Sequence, residues 1–493
     1  MATKRISKSQ FMKGLQCHKH LWLYNFRKDL IPPVPKDVQA RFDEGHVVGD
    51  LARQYYDGGQ LVAFDYKQLP EAIKQTSELL KKGVKIIYEA AFVSNNVLVR
   101  PDILKKNPDG TWDMLEVKST TEVKDEHYPD AAIQKYILEE AGLKIKKVWL
   151  MHINNQFVKS GPINPKDFFI KQDITEEISG LRDEIIQNLE TFMEVLASDE
   201  VPAIGIGQQC AAPYECEFRG HCWSGVPEYS IYDIPRLKWE KKEQLKDLGI
   251  LRFRDVPEDF DLNAGQLLYL QVEKTGKTVI KKPAIAEFLG ALEYPLYYID
   301  FETIMPAVPL YDGSRPYQQI PFQLSLHIQA KPGGAVRHLE YLGDAKTDPR
   351  PALARFMVDN IGSKGSLLAY NAVFEVSRIK ELAADFPAFA DGLLALVDRI
   401  RDLMKPFQAR AYVHPQFHGR YSIKKVLPAL IPDMTYEGLP VANGGDAQLA
   451  YFDMLSGKLS KAEMEQTAKD LKVYCGQDTL AMVKILEHLQ KIV

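Results

Sequence analysis

Cysteine is scarce in this chain: Cys17, Cys210, Cys216, Cys222 and Cys475 are the five thiols among 493 residues. An odd count at this density excludes a disulfide framework of the kind that staples small secreted domains. Long apolar runs are missing too. None approaches the ~18 residues needed to span a bilayer, and the opening MATKRISKSQ has no apolar stretch of a secretory signal. Nor is there an excess of basic charge: 62 Lys and Arg against 66 Asp and Glu give a formal net charge of −4. That excludes the global positive field by which small DNA-binding proteins attract polyanions. Together these absences predict a cytoplasmic protein with no membrane partner, whose contacts with nucleic acid come from local patches.

What is present suffices for packed cores. Hydrophobic residues make up 45% and charged residues 26%, the balance of a globular rather than a disordered chain. At about 150 residues per domain the length predicts two to four units. The runs KRISKSQFMK, LKKNPDG, KIKK and RLKWEKKEQLK are candidate basic patches, although such runs are more often solvated helix faces.

Apolar periodicity predicts helices over 36–57 and 69–82, then a hairpin in IIYEAAFVSNNVLVRPDILKK around Asn95-Asn96. The strand WDMLEVKST, the helix DAAIQKYILEEAG, the strand KKVWLMHIN and a long amphipathic helix over 174–198 follow. The first domain is expected to span 1–228 and a connector 229–290. From 291 to 493 a new pattern begins with strand LYYIDFET, strand IPFQLSLHIQ, a Gly334-centred turn, strand RHLEYLG, helix DPRPALARFMVDNI and strand SLLAY, then mostly helices. The expected fold class is α/β in both halves.

In LEVKS, Glu116 and Lys118 are two apart on a strand and share a face, and Asp102 is expected on the neighbouring strand. Two converging carboxylates suit a hard divalent cation, Mg²⁺ or Mn²⁺, and an ammonium beside them can stabilise charge on a scissile phosphate. A surface hairpin with an ordinary Glu/Lys pair is the alternative, since E-x-K alone is common. The order RPDIL, LEVKS, then a helix with Gln134 and Tyr136 resembles the RecB-like branch of the PD-(D/E)xK nucleases. By that resemblance Asp102 and Glu116 are metal ligands, and Lys118 and Gln134 complete the catalytic set. Gln134 and Tyr136 stand closer together than is usual in the family. Gly49 stands where many members have a metal-binding histidine, with His46 one turn earlier.

Cys210, Cys216 and Cys222 are spaced C-x5-C-x5-C, and Cys17 precedes them by 193 residues. Four thiolates suit a structural zinc ion or an iron–sulfur cube. One distant cysteine and a later trio resembles the RecB-like nucleases that carry a [4Fe-4S] cluster, which implies a structural cluster shielded by Pro213, Tyr214, Phe218 and Trp223. Cys475 stands apart and reads as a small core residue.

YYIDFET is an apolar strand interrupted by Asp300 and Glu302 on one face, a costly arrangement unless the carboxylates bind metal. Glu375 follows a strand end at the opening of a helix, and Tyr474 and Asp478 stand one turn apart in KVYCGQDTLAMVKIL. D-x-E, N-x-x-F-E and Y-x-x-x-D in this order resemble the DEDDy exonucleases of RNase H-like fold, with Glu375 where that family has aspartate. YSIKKVLPAL resembles a segment of bacterial proteins that share this fold. The resemblance implies that Asp300, Glu302, Glu375 and Asp478 hold two metal ions and that Tyr474 orients the water. The combined expectation is a nuclease acting on DNA, with RNA as the other candidate substrate, in repair, processing or defence. By analogy with the two families its first half would degrade from 5′ ends and its second from 3′ ends. Two alternatives stand beside it: a second half that only grips nucleic acid, and a catalytically silent iron–sulfur adaptor.

Overall fold

The structure is a computed structural model that describes residues 5–64 and 66–493; Lys4 of the first basic run lies outside the described residues. It is mixed α/β and divides into two compact units, Met1–Gly225 with Pro306–Gln318, and Val226–Met305 with Gln319–Val493. Among the described residues no helix is long and apolar enough to cross a membrane.

The first unit is built on a six-stranded mixed sheet in the order Gln60–Leu61, Ile86–Tyr88, Ile103–Lys106, Trp112–Lys118, Ile145–Ile153, Phe169–Asp173. Trp112–Lys118 is buried at its first five positions, as a central strand covered on both faces must be. It runs antiparallel to Ile103–Lys106 and parallel to Ile145–Ile153. The Asn95-Asn96 turn has φ of 48° and 59°, left-handed values that asparagine tolerates and that a tight hairpin needs. That hairpin joins Phe92–Ser94 to Val97–Val99 in a separate small sheet, and Ile6–Ser7 adds a parallel third strand. Helices Leu69–Lys81, His127–Glu140 and Arg182–Ala197 pack a core with Phe11, Ile133, Ile137 and Phe192. On a second cluster, Val48 and Ala52 of helix Lys36–Ala52 meet Leu115, Met151 and Ala307. The segment Pro306–Gln318 is held in this unit by the Tyr317 hydroxyl, which donates to the Ser119 carbonyl, and by the Ala307 amide, which donates to Glu44 Oε1 at 2.6 Å.

The helix expected over 36–57 ends at Ala52, and the one expected over 174–198 starts late for a definable reason. Ile174 and Ile178 are both buried and spaced four apart, which mimics helical periodicity, yet the α-helix starts only at Arg182 after a tight turn over Ser179–Leu181.

The second unit carries a five-stranded sheet in the order Val336–Leu342, Ile320–Gln329, Leu296–Ile304, Ser366–Ala369, Ile400–Asp402. The first three strands pair antiparallel and the last two run parallel to the central one. Helices Arg350–Asn360, Val373–Asp385 and Ala390–Val397 supply a core with Leu353, Met357, Ile379 and Leu393. The 32-residue helix Lys461–Ile492 packs on the two central strands. The stretch 229–290, expected as a connector, belongs to this unit. It has an apolar cluster of its own that includes Ile231, Phe253, Leu270 and Val413, and Val279–Ile280 pairs with Tyr412–Val413.

Gly365 shows how closely the central strands approach. It has φ +91°, and a Cβ placed there would lie 2.0 Å from the Pro295 carbonyl oxygen. Gly365→Ala is therefore expected to destabilise the protein by about 2 kcal/mol or more, as left-handed strain and a backbone clash add. Urea denaturation followed by circular dichroism checks this, and an unchanged midpoint would refute the close approach.

Candidate functional site

The first acidic site forms where the central strand of the first unit meets helix His127–Glu140. Asp102, at the entry of strand Ile103–Lys106, accepts from the Val117 amide at 2.6 Å, which turns its carboxyl toward the Glu116 face. Glu116 is 2% exposed and saturated with donors: Lys118 Nζ at 2.9 Å and Lys8 Nζ at 2.6 Å on Oε1, and Gln134 Nε2 at 2.7 Å on Oε2. Lys118 also donates to Asp130, and Lys8 Nζ lies 3.2 Å from Asp130 Oδ1. Burial alone would raise the Glu116 carboxyl, but the Lys118 and Lys8 ammonium groups hold it well below the usual carboxylate range. Asp102 is pushed the other way, first by burial and then by the negative charges of Glu116 and Glu89.

Asp102, Glu116, Lys118 and Gln134 thus lie in one constellation. Tyr136 does not join it: its hydroxyl accepts from Asn95 Nδ2 at 2.9 Å and its ring stacks under Arg182. Residues two apart on a helix point to different sides, so the short Gln134–Tyr136 spacing cannot bring both to one site. His46 is exposed, and a side chain at Gly49 would meet open space. The sequence reading missed Lys8, Glu89 and Asp130. Asp130 sits one turn before Gln134 on the same helix face, and Glu89 interrupts the apolar stretch IIYEAAF; both signals were available.

The four expected thiols line one cavity, together with Leu23, Ile204, Ile206 and Phe218. The shield differs from expectation, since Pro213 and Tyr214 are exposed and Trp223 packs against the Arg219 guanidinium. Burial pushes the Cys216 thiol up to about 12, with Cys210 and Cys222 adding to the shift. Neighbouring buried thiols resist ionising together, and a cationic centre reverses that. Among the described residues no three of the four sulfurs come within 4.8 Å of one another. Four thiols lining one cavity could hold either a structural zinc ion or an iron–sulfur cube. Beside the cavity, His20 Nε2 lies 2.8 Å from Glu217 Oε2, and a ligand atom of Cys216 lies within 4.8 Å of both.

The second acidic site lines a cavity of about 420 Å³ in the second unit. Asp300 and Glu302 reach it from the central strand, Tyr474 and Asp478 from one turn of the long helix, and Lys424 from the helix Ile423–Leu430. Glu375 enters the same neighbourhood because Asn371 adopts φ 69° directly after strand Ser366–Ala369 and turns the chain into a helix, with Glu375 in its first turn. Glu375 is 2% exposed and, among the described residues, its Oε2 has no hydrogen-bond partner, yet it does not itself line the cavity. Asp478 accepts from the Tyr436 hydroxyl at 2.5 Å. Lys424 donates to the Ala442 carbonyl at 2.7 Å and sits over the Tyr436 and Tyr474 rings at 5.4 and 5.5 Å.

Burial is the main cause that raises every carboxyl here. Asp300 is also raised by Asp478, Glu302 and Glu375; Glu302 is pushed to about 8 with help from Asp478, Glu375 to about 8 with help from Asp402, and Asp478 to about 6. Such a cluster could hold a divalent cation, whose charge would offset both causes. Cys475, expected as a core residue, is fully buried, but against these carboxylates: its sulfur lies 3.7 Å from the Asp300 carbonyl and 4.0 Å from Oδ2. Burial and the surrounding negative charge hold it as a neutral thiol, a poor ligand for a hard cation. Tyr436 and Lys424 were missed, and only Lys424 had a signal, in YSIKKVLPAL.

Carboxyls raised in the folded state bind protons that the unfolded chain has released, so metal-free protein is expected to lose stability as pH rises from 4.5 to about 8, the window set by Glu302. Scanning fluorimetry in EDTA should show this fall, Mn²⁺ should reverse it most at the alkaline end, and Glu302→Gln should flatten it. A Glu302→Gln profile identical to that of the parent would refute the clustering.

Comparison with known proteins covers the chain only in part. Residues 297–422, from the central strand to the loop before Lys424, match a family described as Domain of unknown function (DUF2779). The chain is 27% identical over 232 residues to Uncharacterized protein UU173 of Ureaplasma parvum serovar 3, a match covering 43% of this chain and 33% of the relative. It is 28% identical over 214 residues to Uncharacterized protein MG366 of Mycoplasma genitalium, covering 40% and 32%. A homolog of the latter in Mycoplasma pneumoniae is 29% identical over 214 residues, covering 38% and 31%. The chain thus spans about a third of the length of the curated relatives it matches.

Proposed function

We propose that this chain is a metal-dependent nuclease that hydrolyses phosphodiester bonds of DNA at two acidic sites, and that Cys17, Cys210, Cys216 and Cys222 hold a [4Fe-4S] cluster with a structural role. The observation that carries the reading is the second cavity, where Asp300, Glu302 and Asp478 converge from segments nearly two hundred residues apart in sequence, with the Tyr474 ring beside them. Four raised carboxyls, counting Glu375, are hard to rationalise as packing, because each costs free energy that an apolar residue would not. The sheet around them also suits the reading. Its order places the third strand at one edge, the second and first next, then the fourth and fifth, with only the second antiparallel to the first, which is the arrangement an RNase H-like fold would have. The helix, three strands, helix and strand around Glu116 likewise suit a PD-(D/E)xK core.

Bound Mg²⁺ or Mn²⁺ would supply an activated water and neutralise charge on the phosphate. The chain's own contribution is placement. In the second site Tyr474 and Tyr436 present hydroxyls at the Asp478 carboxylate, and Lys424 balances the local negative charge. In the first site Lys118 stands where it can meet a phosphate oxygen, and Gln134 fixes the orientation of Glu116. A second reading, in which the second unit only grips nucleic acid, draws on Glu375, which replaces the family aspartate and does not line the cavity.

Two outcomes are expected. Asp300→Asn should abolish degradation from 3′ ends of labelled single-stranded DNA and spare the other activity, whereas Asp102→Ala or Lys118→Ala should do the reverse, each by at least about 100-fold. If no substitution at Asp300, Glu302, Glu375 or Asp478 alters cleavage, the gripping reading takes over; if Glu375→Asp keeps or raises activity, position 375 coordinates metal. Elemental analysis of anaerobically purified protein should find about four irons per chain. Stoichiometric zinc without iron would overturn the cluster.

A further inference from the structure

The helix Lys8–Gln16 touches the first acidic site at one end and the thiol cavity at the other. At its first residue, Lys8 Nζ donates to Glu116 Oε1 at 2.6 Å and lies 3.2 Å from Asp130 Oδ1. Toward its last residues, Lys13 Nζ pairs with Glu217, the neighbour of Cys216, at 2.6 Å. Gln16 Nε2 donates to the Gln209 and Tyr214 carbonyls, both at 2.7 Å, and Cys17 caps the helix and lines the thiol cavity. At 1.5 Å per residue, Lys8 and Cys17 are about 13 Å apart along the axis. The first turn is itself fixed: Ser7 and Gln10 form a reciprocal capping box, and Ile6–Ser7 pairs with Val97–Leu98. A short helix held at both ends moves as one body, so the position of the thiols sets the position of Lys8.

Lys8 is not the lysine of the strand motif, which is Lys118. It is a second ammonium on the same oxygen of Glu116, and at 26% side-chain exposure it remains open to an incoming group. We infer that Lys8 is a substrate-contacting residue of the first acidic site, directed at phosphate, and that the thiol centre controls its placement through the helix Lys8–Gln16. The inference rests on the nuclease reading. With a cation held by Glu116, Oε1 would no longer need the Lys8 ammonium, and Lys8 would be placed to meet a phosphate oxygen of the substrate. Lys8 therefore competes with the metal and assists the reaction, a combination that a merely structural lysine would not show.

The test uses the full chain carrying Asp300→Asn, so that the first site is read alone. Mn²⁺ affinity is measured by calorimetry and cleavage of end-labelled single-stranded DNA by steady-state kinetics. Lys8→Ala is expected to bind Mn²⁺ several-fold more tightly while kcat/KM falls on the order of 100-fold. Lys8→Arg should recover part of the cleavage. Gln16→Ala, which loosens the far end of the helix without touching a thiol, should move both quantities in the same directions by smaller factors and add nothing when combined with Lys8→Ala. Cleavage and Mn²⁺ affinity both unchanged in Lys8→Ala, or both reduced in step with a lower melting temperature, would overturn the role of Lys8. Effects of Gln16→Ala and Lys8→Ala that multiply would overturn the coupling through the helix. If the Asp300→Asn chain binds Mn²⁺ but cuts nothing, the nuclease reading fails at this site, and the Mn²⁺ shift alone decides whether Lys8 competes there.

Discussion

Taking a carboxylate out of water is among the more expensive things a fold can do, and this chain does it repeatedly in both units. In the first, Glu116 stays ionised because two ammonium groups and an amide surround it. In the second, the Lys424 ammonium pulls Asp300, Glu302 and Asp478 down, but it does not suffice, so all three carboxyls are raised. The two sites solve the same problem differently. One is internally compensated, so an incoming cation there would have to compete with lysines; the other is under-compensated and would gain charge balance from a cation. Much of the surrounding architecture, from the Asn371 turn to the Tyr436 bond, holds these acids in place.

The thiol cavity poses a related problem. Burial raises Cys216 and Cys222, and the sulfurs sit in an apolar wall of Leu23, Ile204, Ile206 and Phe218. Three of the thiols come from a loop-rich stretch of short turns between Gln208 and Cys222, and one from the junction of the first two helices. Those helices pack on Arg182–Ala197, where Phe11 and His18 meet the Phe192 ring edge-on at 5.3 and 5.5 Å. Anything that fixes the four sulfurs therefore also fixes the start of the chain against the rest of its unit, through contacts separated by nearly two hundred residues. Closing so long a loop in the unfolded chain is the sort of constraint from which a metallocentre gains most.

Local chemistry was legible in the sequence wherever an element announces itself by period and by interruption. Acidic residues two apart in the apolar run YYIDFET, Glu116 and Lys118 in LEVKS, and the turn at Asn95-Asn96 all follow from strand alternation and left-handed tolerance, which are properties of a few adjacent residues. The mixed α/β class follows from the same periods. The cysteine spacing marks four thiols for one place, and all four line one cavity.

Tertiary structure alone decided which partners those residues meet. Lys8 and Tyr436 carry no local mark of their roles, and Glu89, Asp130 and Lys424 carry only a faint one, because each acquires its neighbour through sheet order or helix packing across long stretches of chain. Tyr136 fails to reach the first site for a reason fixed by helix geometry, and Ile174 and Ile178 imitate a helix because burial at a four-residue interval does not require one. The stretch 229–290 reads as a connector because its charge hides a small apolar cluster, which Val413 joins from far along the chain. Sequence determines what each segment can do by itself; the pairing of distant segments, which sets burial and therefore charge, is settled only when the chain has folded.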